Sequence, residues 1–295
     1  MSVWELEALS VLAGDGRALE VVLAGPPDGV PLIMFHGTPG AAGAFDPLIE
    51  VAAERGVRQI AYSRPGYGGS DRHEGRSVAS CVADVVAIAD ELEYERFYCS
   101  GGSGGGPHSI ACAALIPDRV IAVAAIATPA PADAEGFDWT AGMGKENLEE
   151  YAAASAGARE LQEYLEREAQ AVDGATADEL LRVWSDLFCE SDRRVLSGAY
   201  AEHTVRQLKR SLASGIWGWL DDDLAIAGAW GFELDRVAAP VQIWHGTEDQ
   251  FVPVSHGEWL AGHVRGAKAE LRPGHGHLSI TLSSYGDILD ALLEG

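Results

Sequence analysis

Hydrophobic residues along this chain keep two rhythms. Short runs rich in aliphatic and β-branched residues recur in the first half, at residues 19–23, 31–35, 59–62, 97–100 and 120–126. Several are apolar without interruption, the pattern of strands covered on both faces. Residues 77–92 differ, because Val78, Val82, Val85, Val86, Ala89 and Leu92 fall at helical spacing behind Ser77, a good N-cap residue. Strand and helix patterns taken in turn predict βα units around a mostly parallel sheet.

After Pro131 the rhythm changes. Between residues 133 and 233 no segment has a strand pattern. Leu161, Tyr164 and Leu165 keep helical spacing, as do Leu180, Leu181, Trp184, Leu187 and Phe188. The α/β rhythm then returns, with a strand at 241–244, a helix at 256–265, a strand at 269–272 and a helix from Ser279. The expected organisation is one α/β core, residues 1–132 and 233–295, carrying a helical insertion at residues 133–232. No internal repeat or low-complexity tract interrupts it.

Composition narrows the options. At 295 residues, 47% apolar and 22% charged, the chain is long enough for one large core without metal or disulfide staples. Forty-five acidic against 21 basic residues give a net charge of −24. That sign repels phosphate backbones and anionic lipid, so no nucleic-acid or membrane partner is expected. Cys81, Cys99, Cys112 and Cys189 form no CxxC pair; Cys99 and Cys112, in apolar runs, read as small buried hydrophobes. The first ten residues hold Glu5 and Glu7 and no basic stretch, unlike a secretory signal. The longest apolar stretch, residues 120–132, is too short to span a bilayer. A cytoplasmic location is expected.

The segment Tyr98-Cys99-Ser100-Gly101-Gly102-Ser103-Gly104-Gly105-Gly106-Pro107 joins an expected strand to an expected helix. Gly101-x-Ser103-x-Gly105 fits the sharp strand–turn–helix elbow that exposes a nucleophilic serine, where neighbours without Cβ atoms are needed. No lysine follows the glycines, which argues against a phosphate-binding loop. A serine hydroxyl needs a base, and the base an orienting carboxylate. Both should follow late strands. Asp249 lies beyond the strand at 241–244, while His275 and His277 lie beyond 269–272. Asp133, after the strand at 120–126, is a competing acid, and His275 a competing base.

These segments resemble the α/β-hydrolase superfamily, in the branch with His-Gly-x-Pro before the first helix. His36-Gly37-Thr38-Pro39-Gly40, Arg64-Pro65-Gly66-Tyr67-Gly68-Gly69-Ser70, Gly101-Gly102-Ser103-Gly104-Gly105, His245-Gly246-Thr247-Glu248-Asp249 and Gly276-His277-Leu278-Ser279 match its blocks in order. The resemblance implies a mostly parallel eight-stranded sheet with helices on both faces and a helical cap. It implies Ser103 as nucleophile, Asp249 as acid and His277 as base, with the N–H groups of Thr38 and Gly104 as oxyanion hole. Pro39 has no N–H to offer. His36, His245 and the turn at 64–70 are expected to brace loops. Gly104 departs from the large residue that many relatives carry after the nucleophile, which weakens the likeness to proline iminopeptidases.

The expected function is a serine hydrolase cleaving a small ester, thioester, amide or lactone through an acyl-enzyme, with no cofactor and no metal. Alternatives are a C–C bond hydrolase or aminopeptidase of the same fold, and, in another class, a non-catalytic small-molecule receptor. Five of the eight tryptophans, Trp139, Trp184, Trp217, Trp219 and Trp230, fall in the helical segment. They are expected mainly to pack, over a pocket for a substrate with an apolar portion. The sequence leaves the oligomeric state open.

Overall fold

In the computed structural model, residues 4–43, 45–176, 179 and 187–294 are described. Eight strands form one sheet: β1 (Glu7–Leu12), β2 (Ala18–Ala24), β3 (Val30–Phe35), β4 (Val57–Tyr62), β5 (Phe97–Gly102), β6 (Val120–Ile126), β7 (Val241–Gly246) and β8 (Lys268–Arg272). Their order is β1-β2-β4-β3-β5-β6-β7-β8. The pairs β1–β2 and β2–β4 are antiparallel and the rest parallel.

The runs rich in apolar residues became the inner strands. All six residues of β4 and of β7 are buried, as strands with helices on both faces require. The sequence pattern did not reveal β1. Its Glu7 and Ser10 interrupt the apolar residues and most of it is exposed, as suits an edge strand paired on one side.

Helices cover both faces. On one, α2 (Cys81–Glu91), α3 (Gly105–Leu115) and α9 (Val254–His263) join the larger core through Val85, Ile88, Ile110 and Leu260. On the other, α1 (Asp46–Ala53) and α10 (Ser279–Glu294) pack Ala52, Ile280, Ile288 and Leu289 against Leu32 and Trp244. Ser77 precedes α2 as expected, and its N–H bonds Ser80 Oγ at 3.0 Å across a short 3₁₀ turn.

Between β6 and β7 lie α4 (Lys145–Ala156), α5 (Ala158–Gly174), α6 (Glu190–Val195), α7 (Gly198–Ser211) and α8 (Trp217–Ala227), with no strand among the described residues. Leu161, Tyr164 and Leu165 of α5 pack with Trp219 and Leu220 of α8 and with Tyr67 of the sheet domain. Leu180, Leu181 and Trp184 lie outside the described residues, whereas Leu187 and Phe188 are buried. All four cysteines are free and buried. Among the described residues no helix is long and apolar enough to cross a membrane.

Register fixes where the functional loops emerge. Phe35 pairs with Gly101, Gly102 with Ile126, Ile126 with Trp244, and Gly246 with Arg272. The carboxyl ends of β3, β5, β6, β7 and β8 therefore finish side by side, at the edge where open α/β sheets place their ligands.

Candidate active site

Strand β5 ends at Gly102, and the chain reverses into α3 through Ser103. Ser103 has φ +52°, a left-handed conformation that costs a residue with a Cβ and clusters at functional sites. The surrounding glycines answer close backbone approach. A Cβ on Gly101 would strike the Gly105 carbonyl, one on Gly105 the Phe35 carbonyl, and one on Gly106 the Thr128 hydroxyl. Their low helix propensity, about 1 kcal/mol each relative to alanine, is thus a condition of seating α3 against β3 and β6. Gly104 is excluded from growing too, since a Cβ there would collide with Thr38 and lie 3.0 Å from Ile226 Cδ1.

Asp249 and His277 come together. The His277 Nδ1 lies 2.8 Å from Asp249 Oδ2. The other oxygen, Oδ1, accepts the N–H groups of Phe251 and Val252, each at 2.9 Å, so the carboxylate is oriented from both sides. Burial alone would raise its pKa. The His277 imidazole and hydrogen bonds from His245 and His277 outweigh burial and hold it at about 2. Burial likewise opposes protonation of His277, yet the Asp249 carboxylate raises its pKa above the ordinary imidazole value. The ring stacks on Phe251, with centroids 4.7 Å apart.

The competing candidates are elsewhere. Asp133 is exposed and has no hydrogen bond to either histidine among the described residues. The backbone carbonyl of His275 accepts the Glu248 N–H at 2.9 Å, but its ring makes no bond to Asp249. His245 Nε2 donates to the Val252 carbonyl at 2.7 Å and braces the loop that carries Asp249. Ser103 and His277 line one cavity, but the link between them is open: among the described residues no hydrogen bond joins Ser103 Oγ to the imidazole.

The loop after β3 brings Thr38 to the Ser103 turn. Among the described residues, neither the Thr38 N–H nor the Gly104 N–H has a protein acceptor. His36 shapes this loop, with Nδ1 2.7 Å from the Gly37 carbonyl and Nε2 accepting the Arg64 N–H at 3.0 Å. Arg64, wholly buried, donates to the carbonyls of His36 and Gly37 and, at 3.1 Å, to Thr38 Oγ1.

Two aspartates of the helical segment, which sequence reasoning missed, hold the site's loops. Asp222 of α8 is wholly buried and accepts from Thr38 Oγ1 at 2.8 Å, Tyr67 OH at 3.0 Å and Arg64 at 2.5 Å; Arg76 lies 2.6 Å away. Burial would push its pKa up, but Arg64 and Arg76 hold it well below the usual carboxylate range. Asp192 of α6, also wholly buried, accepts the N–H groups of His277 and Leu278 at 3.0 Å and of Ser279 at 2.8 Å, at the start of α10. A Cβ on Gly276 would collide with Asp192, so that glycine is the signal the sequence did carry.

The cavity over Ser103 measures about 460 Å³. Phe45, Leu48, Phe188, Tyr200, Phe251 and Leu278 form one side; Glu146, Glu150, Tyr151, Tyr164, Glu168 and Trp219 contribute from α4, α5 and α8. Of the tryptophans, Trp139 and Trp230 pack inward and Trp217 lies under Arg72. Among the described residues, no cluster of three or more His, Cys, Asp or Glu could hold a metal ion.

A sequence model of the alpha/beta hydrolase fold family matches residues 30–282. The chain is an α/β hydrolase. It is thus an enzyme of the hydrolase type. Over 95% of its length, the hydrolase is 26% identical to the non-heme chloroperoxidase of Streptomyces lividans, covering 96% of that protein. It is 25% identical to the uncharacterized hydrolase YcgS of Bacillus subtilis (strain 168), over 90% of this chain and 89% of that one. Its fold matches that of Epoxide Hydrolase A from Mycobacterium thermoresistibile with a TM-score of 0.72 at 19% identity, covering 99% of each chain.

Proposed function

We propose that the hydrolase cleaves a small ester, thioester, amide or lactone through an acyl-enzyme on Ser103. The observation that carries this reading is the buried Asp249–His277 pair beside the cavity that the strained Ser103 turn also lines. In this scheme His277 Nε2 takes the Ser103 proton as Oγ bonds to the carbonyl carbon, and the carbonyl π pair moves onto oxygen. The free N–H groups of Thr38 and Gly104 stabilise that oxyanion, a contribution of roughly 10²–10³ in turnover per donor. Collapse expels the alcohol, thiol or amine with the proton from His277, and water repeats the sequence to release the acid. Asp249 keeps the proton of the resting imidazole on Nδ1 and stabilises the imidazolium. The open Ser103–His277 link closes by rotation about the serine Cα–Cβ bond, since such contacts often tighten only with substrate bound.

Residues 133–232 act as a cap in this reading, supplying most of the wall opposite Ser103. The chemistry calls for no cofactor or metal, and four free thiols suit a reducing compartment such as the cytoplasm. Ser103→Ala should lower hydrolysis of a p-nitrophenyl ester by about 10³-fold or more and abolish covalent labelling by a fluorophosphonate. Retained turnover in the variant would remove Ser103 from the mechanism.

A further inference from the structure

The two sides of the cavity differ in kind. Phe188 and Leu196, with Tyr200, Phe251 and Leu278, belong to one apolar cluster. The side built by α4, α5 and α8 presents three carboxyls, Glu146, Glu150 and Glu168. Among the described residues, no lysine or arginine lines the cavity. The wall's acids therefore face the cavity without a lining cation.

Glu150 and Asp223 form a pair that shares one proton beside this end of the cavity. Glu150 accepts from Trp219 Nε1 at 2.8 Å. Behind it stands Asp223 of α8, wholly buried; among the described residues no N–H or protein hydroxyl reaches either oxygen. The group it faces is the Glu150 carboxyl. Burial and then the Glu150 charge push the Asp223 pKa well up, so Asp223 holds the proton the two share. Glu146 Oε2 is a buried acceptor with no donor among the described residues. Burying carboxyls this way is costly unless a cation or donor completes them. A metal ion does not fit, because among the described residues no three such groups converge. An organic cation fits better: Tyr151, Tyr164 and Trp219 line the same end and can present ring faces to it.

We propose that this end of the cavity binds a positively charged nitrogen, the ammonium group of a substrate whose chain runs along the apolar side to Ser103. The substrate class is then an ester or amide bearing a primary or secondary amine remote from the scissile carbonyl. The net charge of −24 draws such cations toward the protein. This subsite deepens the acyl-enzyme reading and rests on it for the position of the scissile bond.

The test compares p-nitrophenyl esters of ω-amino acids with methyl-terminated esters of equal chain length, hexanoate and octanoate. A charged hydrogen bond in a partly buried site should favour the ammonium ester by about tenfold or more in kcat/KM. Glu150→Gln should bring that ratio toward one, whereas Asp223→Asn, which keeps a neutral donor facing Glu150, should leave it near the wild-type value, and taking the ratio within each variant cancels any general loss. Binding of n-hexylammonium against hexanol, measured by calorimetry on the Ser103→Ala protein, needs neither turnover nor a Glu150 variant that folds. Preferential ammonium binding there without any ester hydrolysis by the wild type would keep the subsite and sink the serine reading. Ester hydrolysis through Ser103 with a wild-type ratio near one, and no ammonium preference in binding, would overturn the subsite alone.

Discussion

Asp192 and Asp222 are both wholly buried, both belong to the helical segment and both reach down to a loop of the candidate site. Their partners differ. Asp192 accepts three consecutive backbone N–H groups at the start of α10, where unsatisfied amides and the helix dipole already favour negative charge. Asp222 instead meets two guanidinium groups and two hydroxyls, and links Thr38 to Arg64. One loop is held by geometry that any well-placed anion satisfies. The other depends on a charge network that fails if a member is lost. The helical segment is thus tied to the chemistry at two points, with different tolerance for change.

Breaking the shared target sets the scale. Asp249→Asn keeps the hydrogen-bonding shape near His277 but removes the charge, and kcat should fall by about 10³–10⁴-fold, measured by burst and steady-state hydrolysis. Asp222→Ala leaves Arg64 and Arg76 buried without their carboxylate. Stability should drop by about 3–5 kcal/mol, read from urea unfolding, and the milder Asp222→Asn should lower kcat with KM little changed as the Thr38 loop loosens. Asp192→Asn retains one acceptor oxygen, so a loss of only about 1–2 kcal/mol is expected. Equal losses for Asp192→Asn and Asp222→Ala would erase the distinction.

The pH profile separates the two aspartates most finely. Because the folded pKa of His277 is raised, its protonated form persists above the ordinary value of 6.5, and the neutral form that the proposed mechanism needs is lost as pH falls through the raised pKa. The acid limb of kcat/KM should therefore lie above 6.5. Asp192 adds to that rise, so Asp192→Asn should move the limb slightly down, whereas Asp222→Asn should leave it in place. Asp249 runs the other way in stability: its pKa of about 2 contributes stability above the unfolded carboxylate value, lost as pH falls toward 2.

Sequence patterning exposed what is local and missed what is long-range. Runs rich in apolar residues located β2 to β8, although β4 carries Arg58 and Gln59 and β7 carries Gln242 and His245. The block around Ser103 was readable because a strained turn forces glycines into fixed positions. Strand β1 escaped because its polar residues fall three apart instead of alternating and it is mostly exposed, and α1 because it is a short helix of eight residues. Asp222 sits within Asp221-Asp222-Asp223, where composition suggests a solvated face, and its Arg64 partner is 158 residues away. Position on the helix, fixed only by packing, decides that Asp222 turns to the sheet domain, Asp221 to Arg72 and Asp223 to Glu150.

The contact between Gly104 and Thr38 has a consequence for laboratory evolution of this enzyme. With the Thr38 hydroxyl standing where a Cβ at 104 would go, neither position can be varied alone without cost. A library that introduces bulk beside Ser103 while keeping threonine would return mostly damaged proteins. Enlarging residue 104 calls for concerted change at residues 38 and 226 and gives up the Thr38 bond to Asp222, the expected signature of non-additive neighbours.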